Sequence, residues 1–338
     1  MTGLIHPRET GFRARLRLYA LVLGMAAGMA FAQQRSPEAA NTNPKHFNFK
    51  VIASAAGLVS LNHDDARAAI KTWFELMAKQ SGLFADSSVD VLNTHEIRER
   101  LESHSTELLI LTTADFLDLE NTHLIVPVLV NTLASQTTPA YSYVILVNPS
   151  STARTIEDLR GKNVLTSSRS AWNVAGMWLE VLLAREKLGR AASFFASVQA
   201  TEKSQGCILP LFFGKVDACV VGEPDLNLAK EMNPQLGRLR EVARSRPMIE
   251  GVIATPVEPT PGRKELIDAI LGLNTDPRGR QVLELFKTER VVRIQPGDLD
   301  SARELYTDYR RLEPALAVSA KDSRPAEKGP AASQPAGR

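Results

Sequence analysis

Ile156-Glu157-Asp158-Leu159-Arg160-Gly161-Lys162-Asn163-Val164-Leu165-Thr166 reads as a short helix stopped by Gly161, followed at once by a strand over 163–166. A glycine just past the last helical residue takes the left-handed backbone that ends such a turn. After the strand come Ser167, Ser168, Arg169 and Ser170, then an apolar helix expected over 173–186. A strand over 193–198, a helix over 205–213 closed by Gly214, and a strand over 216–221 continue the series. Strands alternating with helices indicate an α/β architecture with mostly parallel sheets.

Outward from this stretch the same alternation holds in both directions. Toward the N-terminus a strand is expected over 47–53. An amphipathic helix follows over 64–79, with Ile70, Trp73, Phe74 and Met77 on one face at helical spacing. A strand over 89–92, a charged helix over 96–103 and an apolar run over 108–111 come next. That run ends in the polar group Thr112-Thr113-Ala114-Asp115. Strands over 124–130 and 143–147 are rich in β-branched residues. Toward the C-terminus a strand over 251–254 precedes helices over 263–273, 277–286 and 299–312. No internal sequence repeat is visible.

The 338-residue chain opens on Arg13, Arg15 and Arg17, an uncharged apolar run over 18–29, and Ala30-Phe31-Ala32. This is the order of a secretory signal peptide cleaved after Ala32, and the run is shorter than the ~18 residues that span a bilayer. Residues 33–45 read as a flexible leader and 315–338 as a disordered polar tail. Removing residues 1–32 takes four Arg and one Glu from totals of 40 basic and 38 acidic residues, leaving a net charge of −1. No basic face points to nucleic acid. The two cysteines, Cys207 and Cys219, and six scattered His show no metal-ligand spacing. An oxidising compartment allows a Cys207–Cys219 disulfide, and two buried thiols fit the sequence equally well.

Residues 155–255 resemble the phosphate/phosphonate-type periplasmic solute-binding proteins of ABC transporters. The resemblance rests on the ordered series Ile156-x-Asp158-Leu159-x-Gly161-Lys162-x-Val164, the serine-rich turn, Gly214-Lys215-Val216-Asp217-Ala218, and Ile249-Glu250-Gly251-Val252-Ile253-Ala254. It extends more weakly over 46–314. It implies a two-lobed type II periplasmic-binding fold with two crossover hinge strands near 143–147 and 248–253. Lobe one would comprise 46–142 with 249–314, and lobe two 143–248.

The fold implied by this resemblance places ligand at the carboxyl ends of the strands, where helix N-termini offer free N–H groups to oxyanions. Ser168, Ser170, Trp172 and Asn173 occupy such a place, and also read as ordinary capping and packing residues. Relatives carry a Ser-Thr-Ser run there; this chain has Ala171-Trp172-Asn173, so the resemblance does not carry the ligand's identity with it. Ser204 stands where relatives often have His, and Glu223 where they place an acidic or polar cleft residue. In lobe one, Thr113 and Asp115 are expected to face the cleft, with Phe116 where relatives often have Tyr. Tyr143, beside the first crossover with Tyr141, can close over ligand or pack in a core.

The function expected is capture of a small polar or oxyanion ligand in the periplasm by a monomer, for delivery to an ABC permease in the inner membrane. A membrane sensor kinase is the alternative partner. An enzyme on the same fold is the alternative of another class, but no nucleophile elbow, HExxH or P-loop is present, and all His lie between positions 6 and 123. No cofactor or metal is expected.

Overall fold

A computed structural model of the chain describes residues 46–58, 62–80, 84–104, 106, 108–133, 136–167, 174–201, 203–285 and 288–322. The signal peptide and leader expected over 1–45 lie outside the described residues, as does the end of the tail, 323–338.

In chain order the first part holds β1 (His46–Ser54), α1 (His63–Gln80), β2 (Phe84–Leu92), α2 (Thr94–Glu102), β3 (Leu108–Thr112), α3 (Thr113–Glu120) and β4 (Ile125–Leu133). The middle holds β5 (Tyr143–Val147), β6 (Asn163–Ser167), α4 (Val174–Arg185), α5 (Ala191–Phe194), β7 (Ser197–Thr201), α6 (Gln205–Phe212), β8 (Ala218–Gly222), α7 (Glu223–Met232) and β9 (Arg240–Arg244). The last part adds β10 (Gly251–Pro256), α8 (Arg263–Gly272), α9 (Pro277–Leu285), β11 (Thr288–Arg293) and α10 (Asp300–Asp322).

These strands form two sheets, in the orders β2-β1-β3-β10-β4-β11 and β7-β6-β8-β5-β9. The orders are one pattern used twice. In each lobe the second, first and third strands are followed by a strand arriving from the other lobe, then by the fourth. The arriving strands β5 and β10 run antiparallel to both neighbours, while β1 with β2 and β3, and β6 with β7 and β8, are parallel. The sheets are therefore mixed rather than mostly parallel. A strand that enters from the opposite lobe needs no helical crossover on its own sheet and so comes in reversed.

β5 shows why the second sheet is stable. Its sequence, Tyr143-Val144-Ile145-Leu146-Val147, is buried throughout, as expected of a strand covered on both faces. Successive side chains point to opposite faces. Tyr143, Ile145 and Val147 enter the core beneath α4, whereas Val144 and Leu146 enter the one beneath α6 and α7. Each such aliphatic side chain contributes ~1.5–3 kcal/mol by leaving water. The first sheet divides likewise, with Val51 and Ala53 of β1 on the α1 side and Ile52 on the α2/α3 side. On α1 the expected stripe Ile70, Trp73, Phe74 and Met77 is buried.

Cys207 and Cys219 are joined as a disulfide with Cα atoms 5.8 Å apart, linking α6 to β8. Both are fully buried.

Several local expectations are corrected. The strand expected over 193–198 is a helical turn, α5, then β7. Glu180 accepts from the Ala191 N–H and from Arg190 at that turn, and Phe194 is buried. The Thr112–Asp115 group ends β3, as expected, and also starts a helix. Thr112 is the N-cap of α3, and its hydroxyl accepts from the Asp115 N–H. Glu223 is not in a loop but opens α7. The tail read as disordered from 315 continues α10 as far as Asp322, where alanine-rich sequence supports helix.

The chain crosses between lobes twice, after β4 and after β9. These connections pair with each other: Tyr141 and Met248 exchange backbone hydrogen bonds of 3.1 and 2.9 Å. α10 spans the junction. Leu299, just before this helix, packs in the core of the first lobe, and its Ala302 and Leu305 in that of the second. Arg303 pairs with Glu120 of α3 at 2.8 Å, while Glu304 and Asp308 meet Arg185 of α4 at 2.8 and 2.7 Å. No helix among the described residues is long and apolar enough to cross a membrane.

Candidate binding cleft at the lobe crossovers

The centre of the site is a carboxylate that two tyrosines reach from far along the chain. Glu250 sits on the second crossover, just before β10. The hydroxyls of Tyr141 and Tyr143, on and just after the first crossover, donate to its two oxygens. The rings lie 5.9 Å apart, centroid to centroid. Removal from water pushes the Glu250 carboxyl up to about 7, against the opposing pull of the Tyr141 hydroxyl. With its proton on, this carboxyl can donate a hydrogen bond as well as accept.

Behind it, each lobe ends its strands in the same kind of polar knot. In the first lobe Asp115, on the third residue of α3 and 1% exposed, accepts from three hydroxyls. Ser54 at the end of β1 lies at 2.5 Å, Thr112 at the end of β3 at 2.6 Å, and Thr94 at the start of α2 at 2.6 Å. In the second lobe Asp225, on the third residue of α7, accepts from Ser204 just before α6 at 2.5 Å. Ser204 in turn lies 3.4 Å from Ser167 at the end of β6. β1, α2 and α3 correspond in topology to β6, α6 and α7, so the two knots are structural counterparts.

Three hollows converge here. Tyr141, Tyr143, Ser167, Gly222, Pro224 and Asp225 enclose a small one on the second lobe. Thr112, Thr113, Val174, Met248, Glu250 and Tyr306 line one between the lobes. A cavity of about 350 Å³ reaches from Ser54, Thr112, Tyr141 and Glu250 into the first lobe.

Of the residues expected from sequence, the structure brings Thr113 and Tyr143 to Glu250. The Thr113 N–H donates to the Glu250 carbonyl at 2.8 Å, and its buried hydroxyl has no hydrogen-bond partner among the described residues. Asp115 lies behind the cleft wall with its oxygens occupied by hydroxyls. Ser204 lies on the second-lobe side, held to Asp225. Glu223 pairs with Arg244 of β9 at 2.8 Å. Ser168, Ser170, Trp172 and Asn173 lie outside the described residues. Sequence reasoning missed Glu250, Asp225, Ser54 and Thr94 as members of the site. Glu250 was visible as an acid directly before an apolar strand, but nothing local marks it as enclosed.

A family model described as the phosphonate periplasmic substrate-binding protein of ABC transporters matches residues 58–299. The chain belongs to this family. This substrate-binding protein of an ABC importer thus comes from a group of receptors rather than enzymes, and family membership implies the periplasm. Its fold is shared by XAC2383 from Xanthomonas citri, solved bound to ATP, at 15% identity and a TM-score of 0.56 over 79% of this chain and 98% of that one. A binding-protein component of an ABC phosphonate transporter from Pseudomonas aeruginosa matches at 12% identity and a TM-score of 0.52, over 83% and 91%. PhnD1 from Prochlorococcus marinus, in complex with methylphosphonate, matches at 15% and 0.50, over 80% and 98%. At these identities the likeness is one of fold. No curated protein sequence matches this chain at a significant level.

Proposed function

We propose that this binding protein holds the head group of a small oxyanion between the two polar knots, against Glu250, and delivers it to its permease by opening at the crossovers. The observation that carries this reading is the Glu250 carboxyl with both tyrosines on it: it lines two of the hollows, and the tyrosines line the third. Below about pH 7 the carboxyl keeps its proton and can donate to an oxyanion instead of repelling it. The Thr113 hydroxyl, buried and without a hydrogen-bond partner among the described residues, adds a donor or acceptor. Ser168, Ser170, Trp172 and Asn173, singled out from the sequence, are further candidate ligand contacts. Lobe one is then 46–142 with 249–314, lobe two 143–248, and the mature monomer begins at Gln33.

The test is a thermal-shift series with inorganic phosphate, methylphosphonate, methanesulfonate and amino acids. A ligand that binds only the native state raises Tm as its excess over Kd grows. A rise with phosphate, methylphosphonate or methanesulfonate that Glu250→Ala abolishes supports the reading. A response confined to amino acids, or to none of the compounds, overturns it.

A further inference from the structure

The cavity of about 350 Å³ in the first lobe is not shaped for an oxyanion alone. Its polar rim is Ser54, Thr112, Asn131 and Glu250, at the crossovers. Beyond the rim its walls are mainly hydrocarbon, with Thr288 as a polar member: Ile70 and Trp73 of α1, Ile110 of β3, Ile253 of β10, Leu283 of α9 and Val291 of β11. All of these apolar residues but Ile110 are buried members of one core, and Ile110 packs against it. An apolar cavity of about 150 Å³ already takes a benzene ring. An apolar group that enters this space from the crossovers leaves water and gains dispersion contacts with the lining atoms.

We infer that the cavity is a hydrocarbon subsite, and that the ligand of this binding protein is amphiphilic. Its oxyanion head rests at Glu250, and an alkyl or aryl group extends into the first lobe. The inference rests on the cleft reading above and adds the ligand's second half. No charged side chain other than Glu250 lines this cavity among the described residues, so a ligand carrying a second charge at its far end is rejected. Burial of each added methylene tightens binding by about fourfold until the chamber is full.

Calorimetric titration of the purified protein with methyl-, butyl- and hexylphosphonate, and with butyl- and hexylammonium, tests this. The expected result is affinity that climbs with chain length in the phosphonate series, with Ile110→Phe shrinking the hexyl-to-methyl ratio of Kd values. Methylphosphonate binding with no gain from butyl or hexyl would overturn the subsite while the cleft reading stands. A chain-length gain in the ammonium series alone would support the subsite and remove the oxyanion head. Absence of binding in both series would overturn both. Because the wild-type series decides the matter, the outcome does not depend on the variant folding.

Discussion

Asp115 and Asp225 occupy the same place in two lobes that share no visible sequence repeat. Each is the third residue of the helix that follows its lobe's third strand. Each accepts a short hydrogen bond from a hydroxyl at the start of the preceding helix, Thr94 at 2.6 Å and Ser204 at 2.5 Å. A carboxylate at a helix N-terminus is favoured by the helix dipole, and once there it can tie the ends of neighbouring strands together. The cleft walls are therefore set by two buried acids that stand behind the groups presented to ligand.

Asp115→Ala should destabilise the protein by about 3 kcal/mol, because three buried hydroxyls lose their charged acceptor. Asp115→Asn should cost less, since it keeps one acceptor oxygen and the shape. Urea unfolding of the two variants checks both the size and the order. Equal, negligible losses would show that the knot is not what holds Ser54 and Thr112.

Glu250 gives the protein a pH dependence of definite sign. Its carboxyl is raised from 4.5 to about 7 in the folded state. The native form therefore holds its proton more tightly than the unfolded chain does. The resulting stabilisation is complete below about pH 4.5 and is lost as pH rises through 7, amounting to at most about 3 kcal/mol. That is an upper bound because part of the residue's surface stays open. Glu250→Gln should remove this slope, so that the difference in unfolding free energy between variant and wild type grows in the variant's favour from pH 5 to pH 8.

Reducing the Cys207–Cys219 bond should lower stability by roughly 3 kcal/mol, the scale for a closed loop of this length. Thermal unfolding with and without a reductant, and of the Cys207→Ala/Cys219→Ala pair, measures it. The loss should fall on the second lobe, where both sulfurs lie in one core with Val144, Leu146 and Ile208.

At α10, packing should outweigh charge. Leu305→Ala removes a side chain that is 6% exposed in the second-lobe core and should cost about 2–3 kcal/mol. Glu304→Ala breaks pairs with Arg185 and Arg246, yet these are solvent-exposed and should be worth about 1 kcal/mol or less. Chemical denaturation of both variants gives the comparison, and a larger loss for Glu304→Ala would contradict it.

What the sequence determined by itself was whatever hydrophobic pattern and local caps decide. Tyr143–Val147 is short, apolar and rich in β-branched residues, and reads as a strand. Ile70, Trp73, Phe74 and Met77 recur at helical spacing and could only form a buried stripe. The ordered motifs from Ile156 to Ala254 pointed to the family. β9 and β11 were missed because both are edge strands, Arg240–Arg244 and Thr288–Arg293. With one side unpaired and much of their surface wet, they carry charge where an inner strand carries Val or Ile. α3 and α7 were missed altogether, since each begins in a short polar run that reads as a loop until the helix start is seen.

The site was decided by tertiary structure. Tyr141 and Tyr143 meet Glu250 across separations of 109 and 107 residues, and only the pairing of the two crossovers brings them together. Asp115 finds Ser54 across 61 residues because β1 and β3 are neighbours in one sheet. The same holds for the disulfide, which requires the 5.8 Å Cα separation that α6 packing on β8 provides. Local sequence sets the propensity of each element. The enclosure that shifts a carboxyl, aligns hydroxyls or leaves a cavity exists only after distant elements have packed.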